Sequence, residues 1–168
     1  MQNSIHIRHQ IPALTIRTVD GRNVSSWDYK QKRNRVIAFL HADSANSWKF
    51  VHDVVAHAAE WKGKDAVGLI VFSKAPVANL PATLPPEIIA GIDSTGRSAL
   101  RFLGDEATDQ DGLPRQGVFV ADRYGELYAK WIFANDGEPP SISAILKALE
   151  QIEIACEECE PSTWPLEG

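Results

Sequence analysis

Arg35-Val36-Ile37-Ala38-Phe39-Leu40-His41-Ala42-Asp43-Ser44 is the stretch whose reading decides the fold. Residues 35–40 are nearly all apolar, which suits a central strand buried on both faces of a sheet. Asp43-Ser44 then offers a helix N-cap, because a short polar side chain can accept from the free N–H groups that open a helix. The spacing predicts a helix over Ala45–Lys62, with Trp48, Val51, Val55 and Ala58 three or four apart as its inward stripe and Gly63 as its C-cap. Ala66–Phe72 is a second buried strand, so strand, helix and strand follow one another as a βαβ unit.

Working outward, Ala13–Thr18 alternates in polarity and meets Asp20-Gly21, a strand ending in a tight turn. Downstream, Pro76, Pro81, Pro85 and Pro86 require a loop. Glu87–Ile92 reads as a short strand and Ser98–Leu103 as a short helix. Gly117–Ala121 and Glu126–Phe133 flank Asp122-Arg123-Tyr124-Gly125 and read as a hairpin. Ser141–Ala155 is the last helix, with Ile142, Ile145, Leu149 and Ile152 facing inward. This order predicts an α/β protein with a central mixed β-sheet and helices on both faces. One domain is expected over residues 1–168, with its core over about 11–153 and an acidic tail at 154–168 that carries Cys156 and Cys159.

Composition narrows the function classes. The chain is 44% hydrophobic and 23% charged, as a globular protein is. Its net charge of −5 comes with no basic block, so the clustered cations that a nucleic-acid partner demands are missing. Apolar runs such as Val67–Phe72 fall far short of the ~20 residues of a membrane span. The residues Met1–His6 lack the basic and apolar segments of a signal peptide, so the expected location is the cytoplasm. No cofactor is expected.

Four segments carry a family resemblance. Ile11–Lys30 holds Pro12, Asp20-Gly21, Val24-Ser25 and Tyr29-Lys30; Val36–Asp43 follows as the strand and loop; Gly91–Gly104 and Gly117–Glu126 complete the set. In this order they resemble the peroxiredoxin (alkyl hydroperoxide reductase/thiol-specific antioxidant) family of the thioredoxin superfamily. The resemblance covers roughly residues 11–153. It implies a thioredoxin-like three-layer fold, antioxidant or peroxidase oxidoreductase activity, and assembly as a homodimer.

The chemistry departs from the family. Its Pro-x-x-x-Thr-x-x-Cys motif falls on His41, Ala45 and Trp48, and its arginine before the hairpin Asp122 falls on Gln116, beside Arg115. Aligned with thioredoxins instead, the Cys-x-x-Cys positions read Ser44-Ala45-Asn46-Ser47. Neither alignment leaves a sulfur. A thiol is activated by lowering its pKa from about 8.5 at a helix start or beside a cation. A serine hydroxyl is too weakly acidic for that setting to ionise it, and oxygen cannot pass through the sulfenate–disulfide cycle.

Each remaining candidate has a functional and a plainer reading. Ser44 and Ser47 could anchor a small ligand at the positive end of the helix, or Ser44 could simply cap it. His41 could act as a base on Ser44, but Asp43 is too near in sequence to orient it as a triad acid would. His6, His9, His52 and His57 are expected to be solvated, the last two being off the shared-face spacing of a helix. Trp27, Trp48, Trp61, Trp131 and Trp164 are expected in the core and at its rim, with Trp164 a candidate interface residue. Cys156-Glu157-Glu158-Cys159 could be a pair of inert thiols, a metal half-site completed across a dimer, or a redox pair. Its acidic setting after a helix C-terminus disfavours a thiolate. The leading expectation is a peroxiredoxin-like protein that has lost its thiol site and acts as a redox-inactive binding or assembly module, taking a protein partner or small ligand at the vestigial site. The alternative is an oxidoreductase working through Cys156 and Cys159.

Overall fold

The structure, a computed structural model, describes residues 3–74, 80–81 and 83–158. Seven strands form one sheet: β1 (Thr15–Thr18), β2 (Asn23–Ser25), β3 (Asn34–Leu40), β4 (Ala66–Phe72), β5 (Ile88–Ile92), β6 (Arg115–Ala121) and β7 (Leu127–Ala134). Among the described residues four α-helices accompany them: α1 (Ala45–Ala56), α2 (Ala58–Gly63), α3 (Arg97–Leu103) and α4 (Ile142–Glu158). The spatial order is β2-β1-β5-β4-β3-β6-β7. β3, β4 and β5 run parallel, whereas β1 meets β5 and β6 meets β3 antiparallel, so the sheet is mixed as expected.

β3 and β4 are buried along their whole length, and the pattern of each explains why. Alternate residues of a strand point to opposite faces, and here both faces are covered. Val36, Ala38 and Leu40 pack with residues of α1, α2 and α4, among them Val51, Trp61 and Leu149. Ile37 and Phe39 pack on the other side with Leu14, Phe102 and Leu103, the last two from α3. These are the three layers.

Four details differ from the sequence reading. The Asp20-Gly21 turn closes a hairpin onto β2, a three-residue strand too short to carry a pattern, with Gly21 at φ +89°. The helix expected over 45–62 is two helices, broken at His57 (φ −108°, ψ 13°). That bend seats Trp61, 1% exposed, over Gly68 of β4, where an added Cβ would lie 2.6 Å from the indole. The inward stripe of α1 is Ser47, Phe50, Val51 and Val54, with Trp48 and Val55 half-buried beside it. The pattern missed this rotation because a serine occupies the first buried position. The chain reverses into β4 at Asp65, φ 52°, and not at Gly63.

α4 runs to Glu158, so Cys156 lies within its last turn, while Cys159 and Trp164 lie outside the described residues. Among the described residues no helix is long and apolar enough to cross a membrane.

Candidate functional site

The carboxyl end of β3, the start of α1 and the adjoining ends of β6 and β7 meet at one corner of the sheet. β3 delivers His41 directly after Leu40, and a turn closed by Ser44 N–H donating to His41 O (3.2 Å) leads into α1. Ser44 is the N-cap: its Oγ accepts from Ser47 N–H at 3.3 Å, and its carbonyl accepts from Trp48 N–H at 3.2 Å. The capping expectation for Ser44 therefore describes its bonding here.

Gln116 lies at the centre and is 0% exposed, as is Ser47. Its Oε1 accepts from Ser47 Oγ at 2.5 Å and from His41 N–H at 2.8 Å. Its Nε2 donates to the carbonyls of Ala134 (3.3 Å) and Asn135 (3.2 Å) at the end of β7. A carboxamide can make these bonds because it carries both an acceptor and two donors. A guanidinium, which only donates, could not take the Oε1 role at this position.

The His41 imidazole meets Asn135, with Nδ1 and Oδ1 2.5 Å apart. Since Oδ1 can only accept, Nδ1 is the donor in this contact. Asn135 was not singled out in the sequence, where its only signal is the Asn135-Asp136-Gly137 turn that ends β7. Asn46 ties the same turn to α1, donating from Nδ2 to Asp136 O at 3.0 Å and Gly137 O at 3.3 Å. Trp48 roofs the corner: Nε1–H donates to Ala42 O at 2.7 Å, and the ring stacks on Phe72 at 5.2 Å between centroids and 20° between planes.

On the α3 side of the sheet a crevice of about 30 Å³ opens between Phe39, His41, Phe72, Ser73, Asp93 and Arg115. That is room for one or two waters. Asp93 holds the entry to α3, accepting from Ser98 N–H at 2.7 Å and from Thr95 Oγ1 at 2.7 Å. Desolvation opposes ionisation of Asp93, but the bonds from Thr95 and Ser98 outweigh it and hold the carboxyl below its usual pKa.

The structure thus brings His41, Ser44, Ser47, Trp48 and Gln116 together. The other histidines stand apart from this corner: His57 Nδ1 contacts Asp53 O at 2.8 Å, and the rings of His6 and His9 meet edge-on at 5.5 Å. Among the described residues no group of three or more His, Cys, Asp or Glu side chains is placed to hold a metal ion.

No family model and no curated protein matches the chain. Solved structures do. A reduced 2-Cys peroxiredoxin of Plasmodium vivax superposes with a TM-score of 0.76 at 12% identity, covering 95% of this chain and 89% of that one. The mitochondrial 2-Cys peroxiredoxin of Plasmodium falciparum gives 0.70 at 10% identity, covering 92% and 98%. A cysteine-to-serine mutant of the peroxiredoxin 6 of Arenicola marina gives 0.74 at 13% identity, covering 96% and 80%. The fold is therefore thioredoxin-like. Within that class the chain has the peroxiredoxin-like arrangement that the four sequence segments implied.

Proposed function

We propose that this chain is a redox-inactive peroxiredoxin-like protein that acts in the cytoplasm as a binding or assembly module. The observation that supports this reading is the buried Ser47–Gln116–His41 network. Thiol chemistry at a helix start needs a thiolate and a neighbouring cation or free N–H groups to stabilise it. Here neutral groups fill that place and satisfy one another. Trp48, at the position of the family's reactive cysteine, commits its one polar side-chain atom to Ala42 O.

The last turn of α4 supports the same reading for Cys156. It is the negative end of the helix, and Glu157 and Glu158 follow directly. An acidic sequence at a helix C-terminus is in general a poor setting for a thiolate. We read Cys156 and Cys159 as structural thiols and not as the electron carriers of the alternative oxidoreductase.

The module is proposed to pair as a homodimer. β7 is an edge strand of eight residues, with Tyr128, Trp131 and Phe133 half-buried against the core of its own sheet. The segment before β1 takes the first residue of β7, Leu127 N–H donating to His9 O at 3.0 Å and Leu127 O accepting from Arg8 N–H at 2.7 Å, and a sheet edge beyond such a contact is a template for a second strand. Light scattering on the full chain tests the assembly. A dimer mass at concentrations on the order of tens of micromolar supports it, and a clean monomer there contradicts it. An NADPH-coupled disulfide-reduction assay tests the thiol assignment: wild type and Cys156→Ser/Cys159→Ser should be equally inactive.

A further inference from the structure

Arg35 is a charged residue inside a strand that otherwise reads as core, and it is 3% exposed. Its Nη1 donates to Ser26 O at 3.0 Å and its Nη2 to Asp122 O at 3.1 Å. Its Nε has no partner among the described residues. No carboxylate forms an ion pair with it among the described residues, although buried charges are ordinarily paired.

The guanidinium lines a small pocket where the amino-terminal segment, the turn at Ser26–Tyr29 and the β6–β7 turn converge. Gln10, Pro12, Trp27, Lys30, Tyr124 and Gly125 are among its other walls. Lys30 brings a second cation, its Nζ 3.9 Å from the Trp27 ring centroid. Gly125, at φ +90°, closes the pocket with bare backbone. A Cβ there would stand 2.7 Å from Gln10 Oε1 and 3.5 Å from Arg35 Nη2. The free space is about 10 Å³, the room of one water-sized particle.

The carboxylates about the pocket are engaged elsewhere. Asp122, 4% exposed, offsets one positive charge, and its Oδ1 is already engaged by the N–H groups of Tyr124 and Glu126, both at 2.9 Å. Arg8 and Glu126 pair with each other at 2.8 Å. Asp28 in the Ser26–Tyr29 turn is turned to Ser25 N–H at 3.0 Å, and of the residues that line the pocket itself the charged ones are Arg35 and Lys30, both cations. Desolvation pushes the Arg35 pKa down, with Asp122 working against it.

We propose that this pocket binds one small monovalent anion of halide size, held between the Arg35 guanidinium and the Lys30 ammonium. The ion would take up the idle donor and fasten three chain segments to one another. It would act as a structural ligand, stabilising the folded state in proportion to its occupancy.

Crystals grown in sodium bromide, together with melting curves of the full chain in sodium chloride and in sodium gluconate, test this. Equal ionic strength removes the difference in screening, and gluconate is too large for the pocket. We expect an anomalous bromide peak between Arg35 and Lys30. We also expect a melting temperature that rises saturably, by a few degrees, with chloride but not with gluconate. Lys30→Gln should raise the midpoint of that chloride titration about tenfold, losing one charge contact of order 1.4 kcal/mol. Arg35→Met should abolish the chloride response, and if it fails to fold, Lys30→Gln and the bromide peak still decide. Equal melts in chloride and gluconate, or a chloride response unchanged in Lys30→Gln, would overturn the proposal. So would a bromide peak with no chloride dependence in solution, which marks binding at crystal concentration only.

Discussion

The Ser47 hydroxyl donates to Gln116 Oε1 at 2.5 Å, joining the first turn of α1 to the start of β6 where neither side chain meets solvent. This contact fixes the chemistry of the corner. It commits the serine proton to a neutral acceptor, and the same glutamine oxygen also takes the His41 N–H.

Gln116→Ala should therefore be costly for a polar residue. It would strip Ser47 O–H, His41 N–H and the Asn135 carbonyl of these partners, while Ala134 O keeps the Gly137 N–H, and we expect a loss of about 3 kcal/mol. Urea denaturation measures it. Ser47→Ala alone should cost about 1 kcal/mol, and the two changes should couple by about 1 kcal/mol in a double-mutant cycle. Additive effects would mean that the contact contributes nothing.

Asp93 should make the entry to α3 acid-sensitive. Its hydrogen bonds hold the carboxyl below its usual pKa against the effect of desolvation. A depressed folded-state pKa contributes stability above the unfolded value, about 3.9, and that contribution is lost as pH falls through the folded value. Asp93→Asn should cost about 1 kcal/mol at neutral pH, as loss of a helix-start acceptor does. The gap between wild type and variant should begin to narrow below about pH 4 and go on narrowing as pH falls. Melting curves from pH 3 to 7 check it, and a gap as wide at pH 3 as at pH 7 would assign the cost to shape and not to charge.

Gly68→Ala should destabilise through overpacking. Its Cβ would lie 2.6 Å from Trp61 and 3.0 Å from Ile88, and both neighbours are held in the core. A cost of about 1–3 kcal/mol is expected in denaturant unfolding. An unchanged midpoint would show that α2 can shift away.

What could be read in advance follows from the range of each signal. β4 was legible to the residue because an unbroken apolar run of that length, bounded by turn residues, suits a strand buried on both faces. The cap at Ser44 was legible because the rule is local. The break at His57 was not, since no glycine or proline marks it and the bend answers to Trp61 meeting Gly68. β2 is too short to show a period. Within the site, alignment marked Gln116, but its role in joining four groups depends on chain segments brought together only by folding. Asn135 lies 94 residues from His41, and nothing in either local sequence announces their contact. Arg35 was absorbed into an apolar run, and only its burial shows that it is exceptional.

The central claim is that the start of α1 carries no thiol-type catalysis. Hydroperoxide consumption by the cysteine-free chain, Cys156→Ser/Cys159→Ser, in metal-free buffer tests it most directly. The predicted result is a rate equal to that of buffer alone at every protein concentration. Consumption that rises in proportion to protein and saturates with hydroperoxide would contradict it, because it would place a working peroxidase site where Ser44, Ser47, Trp48 and Gln116 hold no sulfur.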